Sequence, residues 1–286
     1  MSTNIKLITK LHTILTEKGW GTDREEKKSG KKLFQIFAEI MEQLNEKQSL
    51  LLLHLISKFK IYKADNYSFL LKKAFEDISF SNHQDAKIIY LIPLVHWKDI
   101  KKEKFKSGHS FLYQIQNQSF IKIAPPLHGK KIEILRDYVA YDSKKESFKT
   151  QKKCFIFFDD FIGTGDTAIR TINEFSDEYN IDFKDIYLIS LVAMQHGLER
   201  LYDSGVNIGV GEMANKGISD DPYLSGKITE NINTMLDIEK EFSVPPTYEL
   251  GYGRSEALIS MIRTPNNTFP LFWFTNKKLD VPFPRF

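Results

Sequence analysis

A single cysteine, Cys154, stands in a chain of 286 residues. It has no internal partner for a disulfide, and no CxxC pair or Cys/His cluster exists to hold zinc. A reduced, cytoplasmic setting is therefore expected. An excess of one charge is also lacking, since 40 basic residues face 37 acidic ones and leave a formal net charge of +3. That balance excludes a general nucleic-acid coat and leaves room only for local basic patches. Membrane-length apolar runs are missing too. The leucine-rich run at residues 50–56 is interrupted by His54 and falls far short of the ~20 residues that span a bilayer. The N-terminal stretch MSTNIKLITKLHTILTEKG lacks the continuous apolar core of a signal peptide and reads as an amphipathic helix. A soluble protein without membrane contact is expected, and no internal repeat or low-complexity tract is visible.

What the chain does hold is a change of rhythm. Leu33, Ile36, Phe37, Ile40, Met41 and Leu44 recur at helical spacing, residues 49–59 are apolar nearly all round, and Leu70, Leu71, Ala74, Phe75 and Ile78 mark a further helix. From Lys87 onward, short apolar runs of the kind that form buried parallel strands take over: residues 88–95, 120–124, 132–135, 154–158, 186–193, 206–210 and 257–262. Segments of helical length lie between several of them, at 110–116, 167–179 and 197–204. Alternating strands and helices predict an α/β fold with an open, mostly parallel sheet, preceded by an N-terminal helical region. The spacing places the division near residues 82–85, giving a helical region over 1–82 and an α/β domain over 83–286.

The segment richest in chemistry is CFIFFDDFIGTGDT at residues 154–167. A buried strand runs into two adjacent carboxylates, Asp159 and Asp160. A tight loop of Gly163, Thr164, Gly165, Asp166 and Thr167 follows, and then a helix starts. In a parallel sheet the ligand crevice forms at the carboxyl ends of the strands. The unpaired amides and the dipole of a helix start attract a phosphate. The glycines let the main chain come close to such a ligand, and Thr164 and Thr167 add hydroxyl donors. No GK[ST] ending makes it a Walker A loop, and Ala168 stands where a G-x-G-x-x-G fingerprint needs its third glycine. Paired carboxylates accept hydrogen bonds from vicinal hydroxyls, so a 5-phosphorylated ribose fits the layout.

Four apolar residues, two acids, two apolar residues and a small-Thr-Gly-x-Thr loop make this segment resemble the phosphoribosyl pyrophosphate (PRPP) motif of type I phosphoribosyltransferases. The resemblance implies that fold. It also implies that Asp159 and Asp160 hold the ribose hydroxyls and act in catalysis, that residues 163–167 hold the 5-phosphate, and that Mg²⁺ accompanies the pyrophosphate, with no metal ligand assigned directly. Gly163 and Asp166 depart from the usual pattern, and Asp166 places an extra negative charge beside the proposed phosphate. The wider layout adds Lys106-Ser107-Gly108 after a strand and TPNNT at residues 264–268 before Phe269. It looks like the phosphoribosyltransferase-like effectors of bacterial conflict systems, including retron-type anti-phage modules. That likeness implies a defence role, with a reverse transcriptase, an ATPase or a DNA-binding protein as a partner through the helical region.

Two further candidates stay open. Lys106, Ser107 and Gly108 form either a pyrophosphate loop or a simple cap by Ser107. Gln195 and His196, at the end of the strand over 186–194, form either a base site, with His196 as an acid or base near neutral pH, or ordinary packing at a helix start. Asn266 and Asn267 read as a structural turn, and Trp20, Trp97 and Trp273 as core anchors. The function expected is binding of PRPP or a nucleotide-like ligand. Glycosyl transfer at ribose C1 follows if the protein is catalytic, and a sensing or partner-binding module is the alternative.

Overall fold

The computed structural model describes residues 3–20, 31–78, 85–101, 127–146, 151–278 and 280–285. The chain divides into two compact units: Lys63–Ala214 is one, and Met1–Tyr62 with Asn215–Phe286 is the other. The first unit is thus a continuous stretch set between the two stretches of the second.

In the discontinuous unit, helix α1 (Thr3–Glu17) packs on α2 (Leu33–Glu42) and α3 (Glu46–Lys58), and α3 also meets α8 (Ile228–Glu241). The start of α3 is fixed by a reciprocal cap: Asn45 Oδ1 accepts from the Gln48 amide at 3.0 Å, and Gln48 Oε1 accepts from the Asn45 amide at 3.0 Å. The stripe of Leu33, Ile36, Phe37, Ile40 and Met41 is buried as its spacing predicts. The ring of Phe59 stacks on Phe283 and lies 4.4 Å from that of Phe272, tying the early and late stretches into one core. Strand β1 (Lys60–Ile61) pairs in parallel with β7 (Ile259–Ser260). The apolar run at 257–262 therefore belongs to this small sheet and not to the main one, which corrects the sequence expectation. Its residues 257–261 are buried here, and the preceding turn, with positive φ at Leu250, Arg254 and Glu256, sets its direction. Asn267 donates to the Tyr252 carbonyl (3.1 Å) and Ser255 Oγ (2.9 Å), so it braces a turn.

Behind that turn lies a buried carboxyl group, Glu239, 1% exposed on α8. Its Oε2 accepts from the Leu250 amide at 2.9 Å, while Oε1 has no hydrogen-bond partner among the described residues. Burial, with the nearby carboxylates of Glu249 and Glu256, pushes it up to about 8 from an ordinary 4.5, against the pull of the Leu250 amide and Arg254. The folded protein thus holds a proton that the unfolded chain releases between those values. The associated stability is complete below pH 4.5 and is lost as pH rises through about 8. Glu239→Gln, which stays neutral, is expected to flatten this slope of at most about 1.4 kcal/mol per pH unit. Urea unfolding at pH 5, 6.5 and 8 checks it, and an unchanged slope in the variant would refute it.

The unit Lys63–Ala214 is built on a parallel sheet whose described strands are β2 (Ile88–Pro93), β3 (Lys131–Ile134), β4 (Lys153–Ile162), β5 (Ile186–Met194) and β6 (Asn207–Ala214). Their spatial order is β3-β2-β4-β5-β6, all parallel. Chain order reverses between β2 and β4, and this is the point at which such a sheet opens a ligand crevice beyond its carboxyl ends. After β2, His96 caps the short helix α5 (Trp97–Ile100). Helix α6 (Asp166–Tyr179) follows β4 and covers one face, packing Ile172 and Phe175 with Phe155 and Phe157. Helix α7 (Gln195–Asp203) follows β5 directly.

Helix α4 (Ala64–Asp77) covers strands β5 and β6. Its approach explains two glycines in β6: a Cβ on Gly209 would overlap the Ala74 carbonyl oxygen, and one on Gly211 that of Leu70. Sequence rhythm groups α4 with the preceding helices and residues 215–286 with the sheet. The contacts instead join α4 to the sheet and 215–286 to residues 1–62. The run at 120–124, the segment at 110–116 and the candidate loop Lys106-Ser107-Gly108 lie outside the described residues.

Candidate functional site

Strand β4 runs past the apolar run at 154–158, through Asp159 and Asp160, to Phe161 and Ile162. Beyond Pro93, which pairs with Phe158, β2 contributes no further strand residue, so the two acids reach past it at the point where chain order reverses. They have different surroundings. Asp160 is 5% exposed, and its Oδ2 accepts a hydrogen bond from the buried Tyr67 hydroxyl of α4 at 3.0 Å. Asp159 is partly exposed, and its Oδ1 accepts from the Asp160 amide at 2.9 Å. Adjacent on one strand, the two acids thus differ: Asp160 is drawn under α4 by a tyrosine, and Asp159 is the more exposed.

The turn after β4 is short and tightly held. Gly165 has φ +80° and stands just before α6, a conformation that excludes most side chains. A Cβ on it would also come within 3.0 Å of the Gly197 carbonyl oxygen. In return, a Cβ on Gly197 would overlap the Gly163 carbonyl oxygen, so the loop and the first turn of α7 meet backbone to backbone. Asp166 and Thr167 lie in the first turn of α6, with Thr167 exposed. The Asp166 amide reaches Thr164 Oγ1 at 3.4 Å, and the remaining amides of that turn, with its dipole, favour an anion.

Asp166 does not hang free in solvent. The Thr164 hydroxyl donates to its Oδ2 at 2.6 Å, and Arg200 of α7 approaches its Oδ1 with Nη2 at 2.7 Å. Arg200 Nη1 donates in addition to the Thr164 carbonyl at 2.7 Å. Partial burial opposes the charge on Asp166, but the Thr164 and Arg200 contacts, with Arg170 farther off, outweigh it and hold the carboxyl below its ordinary value.

A strand, an acid pair, a glycine turn and a helix start thus stand in the order that the PRPP motif requires, at the sheet's switch point. The sequence as a whole matches the family PRTase-CE over residues 26–285. The chain belongs to this phosphoribosyltransferase-like family. Its α/β unit with a parallel sheet is the architecture expected of PRTase-CE proteins. No curated protein matches the sequence. Among solved structures, the AQ2163 protein from Aquifex aeolicus is similar at 14% identity over 67% of this chain and 87% of that chain, with a TM-score of 0.30. FlhF complexed with GTP/Mg(2+) is similar at 12% identity over 79% of this chain and 86% of that chain, with a TM-score of 0.25.

The remaining described candidates of the PRTase-CE chain lie just after β5. Gln195 and His196 belong to the first turn of α7 and not to the end of β5, because the helix starts immediately after Met194. The Gln195 side chain donates through Nε2 along the helix to Glu199 Oε1 at 2.9 Å, and His196 is partly buried. Sequence reasoning passed over three residues that shape the site: Tyr67, Gly197 and Arg200. Gly197, next to His196 and just after a strand, carried the one available signal, since a glycine opening a helix invites a close backbone approach. Among the described residues no helix is long and apolar enough to cross a membrane.

Proposed function

We propose that the unit Lys63–Ala214 binds PRPP or a related ribose phosphate, with the phosphate at residues 163–167 and the ribose hydroxyls at Asp159. The observation that carries this is the placement of the whole motif: Asp159 near the carboxyl end of β4, then Gly165 in a left-handed turn opening α6, at the point where the strand order reverses. Family membership supports it independently.

In a transfer reaction, the acceptor's lone pair would form the new bond to ribose C1. The C1–O bond would break with its electron pair leaving on pyrophosphate, and the acceptor's proton would pass to solvent or a nearby base. Positive charge grows on the ribose in such a transition state, and the Asp159 carboxylate would stabilise it electrostatically. Hard carboxylate oxygens suit a hard divalent cation, so Asp159, the more exposed of the two acids, would be available to Mg²⁺, which would help to neutralise the leaving pyrophosphate. Lys106, Ser107 and Gly108 remain the proposed pyrophosphate loop, and Gln195 and His196 a proposed base site at the start of α7.

A second reading, binding without turnover, is favoured by one feature: Tyr67 engages Asp160, which leaves Asp159 as the more available acceptor for two hydroxyls. Pyrophosphate release from PRPP with a panel of nucleobase and amine acceptors separates the two. Release supports the transferase, whereas thermal stabilisation by PRPP with no release supports the sensor. The absence of both responses would count against the ribose-phosphate proposal altogether. A role as an effector in bacterial anti-phage defence is proposed from the sequence layout. It includes a reverse transcriptase, ATPase or DNA-binding partner engaged through the N-terminal helices in a cytoplasmic setting.

A further inference from the structure

We propose that Asp166 is a built-in competitor for the ligand's phosphate, and that Arg200 sets how strongly it competes. This deepens the ribose-phosphate function proposed above and rests on it.

The geometry points to this in three ways. Asp166 opens α6, so its carboxylate sits at a helix start, where the dipole favours an anion. The Thr164 hydroxyl, one of the donors that a bound phosphate would use, already gives its proton to Asp166 Oδ2 at 2.6 Å. A hydroxyl has one proton to give, so carboxylate and phosphate cannot both receive it. The Arg200 guanidinium then spans the two acceptors that would repel an incoming phosphate, the Asp166 carboxylate and the Thr164 carbonyl, at 2.7 Å each. Its planar fork suits this double contact in a way that a lysine ammonium would not.

The loop thus carries its own anion and its own counter-ion. With Arg200 in place the pair is neutral, and a phosphate meets no net repulsion from it. Without Arg200 the Asp166 charge faces the ligand directly, at short range and in a partly desolvated turn. An entering phosphate takes over the Thr164 proton and the helix-start amides, while Asp166 stays paired with Arg200, whose side chain is half exposed and has donors to spare. The arrangement selects against weak anions. A carboxylate or a singly charged diester offers little more than Asp166 already supplies, whereas a phosphomonoester dianion with hydroxyls for Asp159 offers more.

The test is calorimetric titration of the full chain with ribose 5-phosphate, for the natural protein, Asp166→Asn, Arg200→Ala and the double variant, each first checked for cooperative thermal unfolding. Asp166→Asn is expected to bind roughly tenfold tighter and Arg200→Ala roughly tenfold weaker, the scale of one charge-assisted contact. The Arg200→Ala loss should largely vanish in the Asp166→Asn background, because its target charge is gone. In the ligand-free protein, Arg200→Ala should also raise the titration midpoint of the Asp166 carboxyl followed by NMR. If the natural protein binds and Asp166→Asn binds equally or more weakly, the competitor proposal is overturned while the ribose-phosphate function stands. An equal Arg200→Ala loss in both backgrounds also overturns it, since Arg200 would then touch the phosphate itself. If neither the natural protein nor Asp166→Asn binds ribose 5-phosphate or PRPP, the ribose-phosphate function falls and takes this proposal with it.

Discussion

Gly197→Ala is expected to abolish ribose-phosphate binding and to destabilise the folded protein by about 1–3 kcal/mol, the usual cost of forcing extra volume into a filled contact. Helix propensity pulls the other way, since alanine is favoured over glycine inside a helix by about 1 kcal/mol. Steric overlap should win because the added methyl meets the Gly163 carbonyl oxygen and other main-chain atoms of residues 163 and 164, which cannot swing aside as a flexible side chain can. Relief requires the loop to move, and the loop is the proposed phosphate seat. Gly226→Ala serves as the control, because a Cβ there meets nothing within 4 Å. Urea unfolding and titration with PRPP measure both effects. A Gly197→Ala protein that binds like the natural one would show that the loop tolerates displacement.

The second large effect separates the two aspartates. Asp159→Asn should leave stability nearly unchanged, since the residue is partly exposed, while weakening ribose binding by about 100-fold, the scale of one or two charge-assisted hydrogen bonds. Asp160 should behave in the opposite way. Tyr67→Phe removes a donor from its buried carboxylate and is expected to cost about 1–3 kcal/mol of stability. Asp160→Asn should cost a similar amount. Parallel denaturation and binding measurements on the three variants give the pattern. Equal binding losses from Asp159→Asn and Asp160→Asn, with stability intact, would show the two carboxylates to be equivalent and Tyr67 to be incidental.

Much of the site could be read from the chain because it is local. Residues 154–167 carry a buried strand, a glycine turn and a helix start within fourteen consecutive positions, and each reports its own conformation through apolar period or backbone freedom. The main strands β2, β3, β5 and β6 were legible for the same reason. What the sequence concealed depends on contacts between distant residues. Tyr67 lies 93 positions from Asp160, and Arg200 lies 36 from Thr164, so no window of the sequence holds either pair. The run at 257–262 has the apolar composition of a main-sheet strand, yet it pairs with Lys60 and Ile61, because pairing partners are chosen by the fold and not by composition. The acids were expected to follow the strand and are part of it instead: β4 continues past them through Phe161 and Ile162, and the two charges interrupt an apolar signal that resumes on their far side.

Asp166, read from the sequence as an unwelcome charge, illustrates the limit of a local view. In the fold it is matched by a cation from the next helix, and its neighbours change its meaning. The loop therefore balances its charges before any ligand arrives.

The most direct measurement is the electron density of the full-length protein crystallised with ribose 5-phosphate. The account predicts a phosphate on the main-chain amides of residues 163–167 with the sugar hydroxyls turned toward Asp159. Density for the ligand elsewhere, with that loop closed and unchanged, would contradict it.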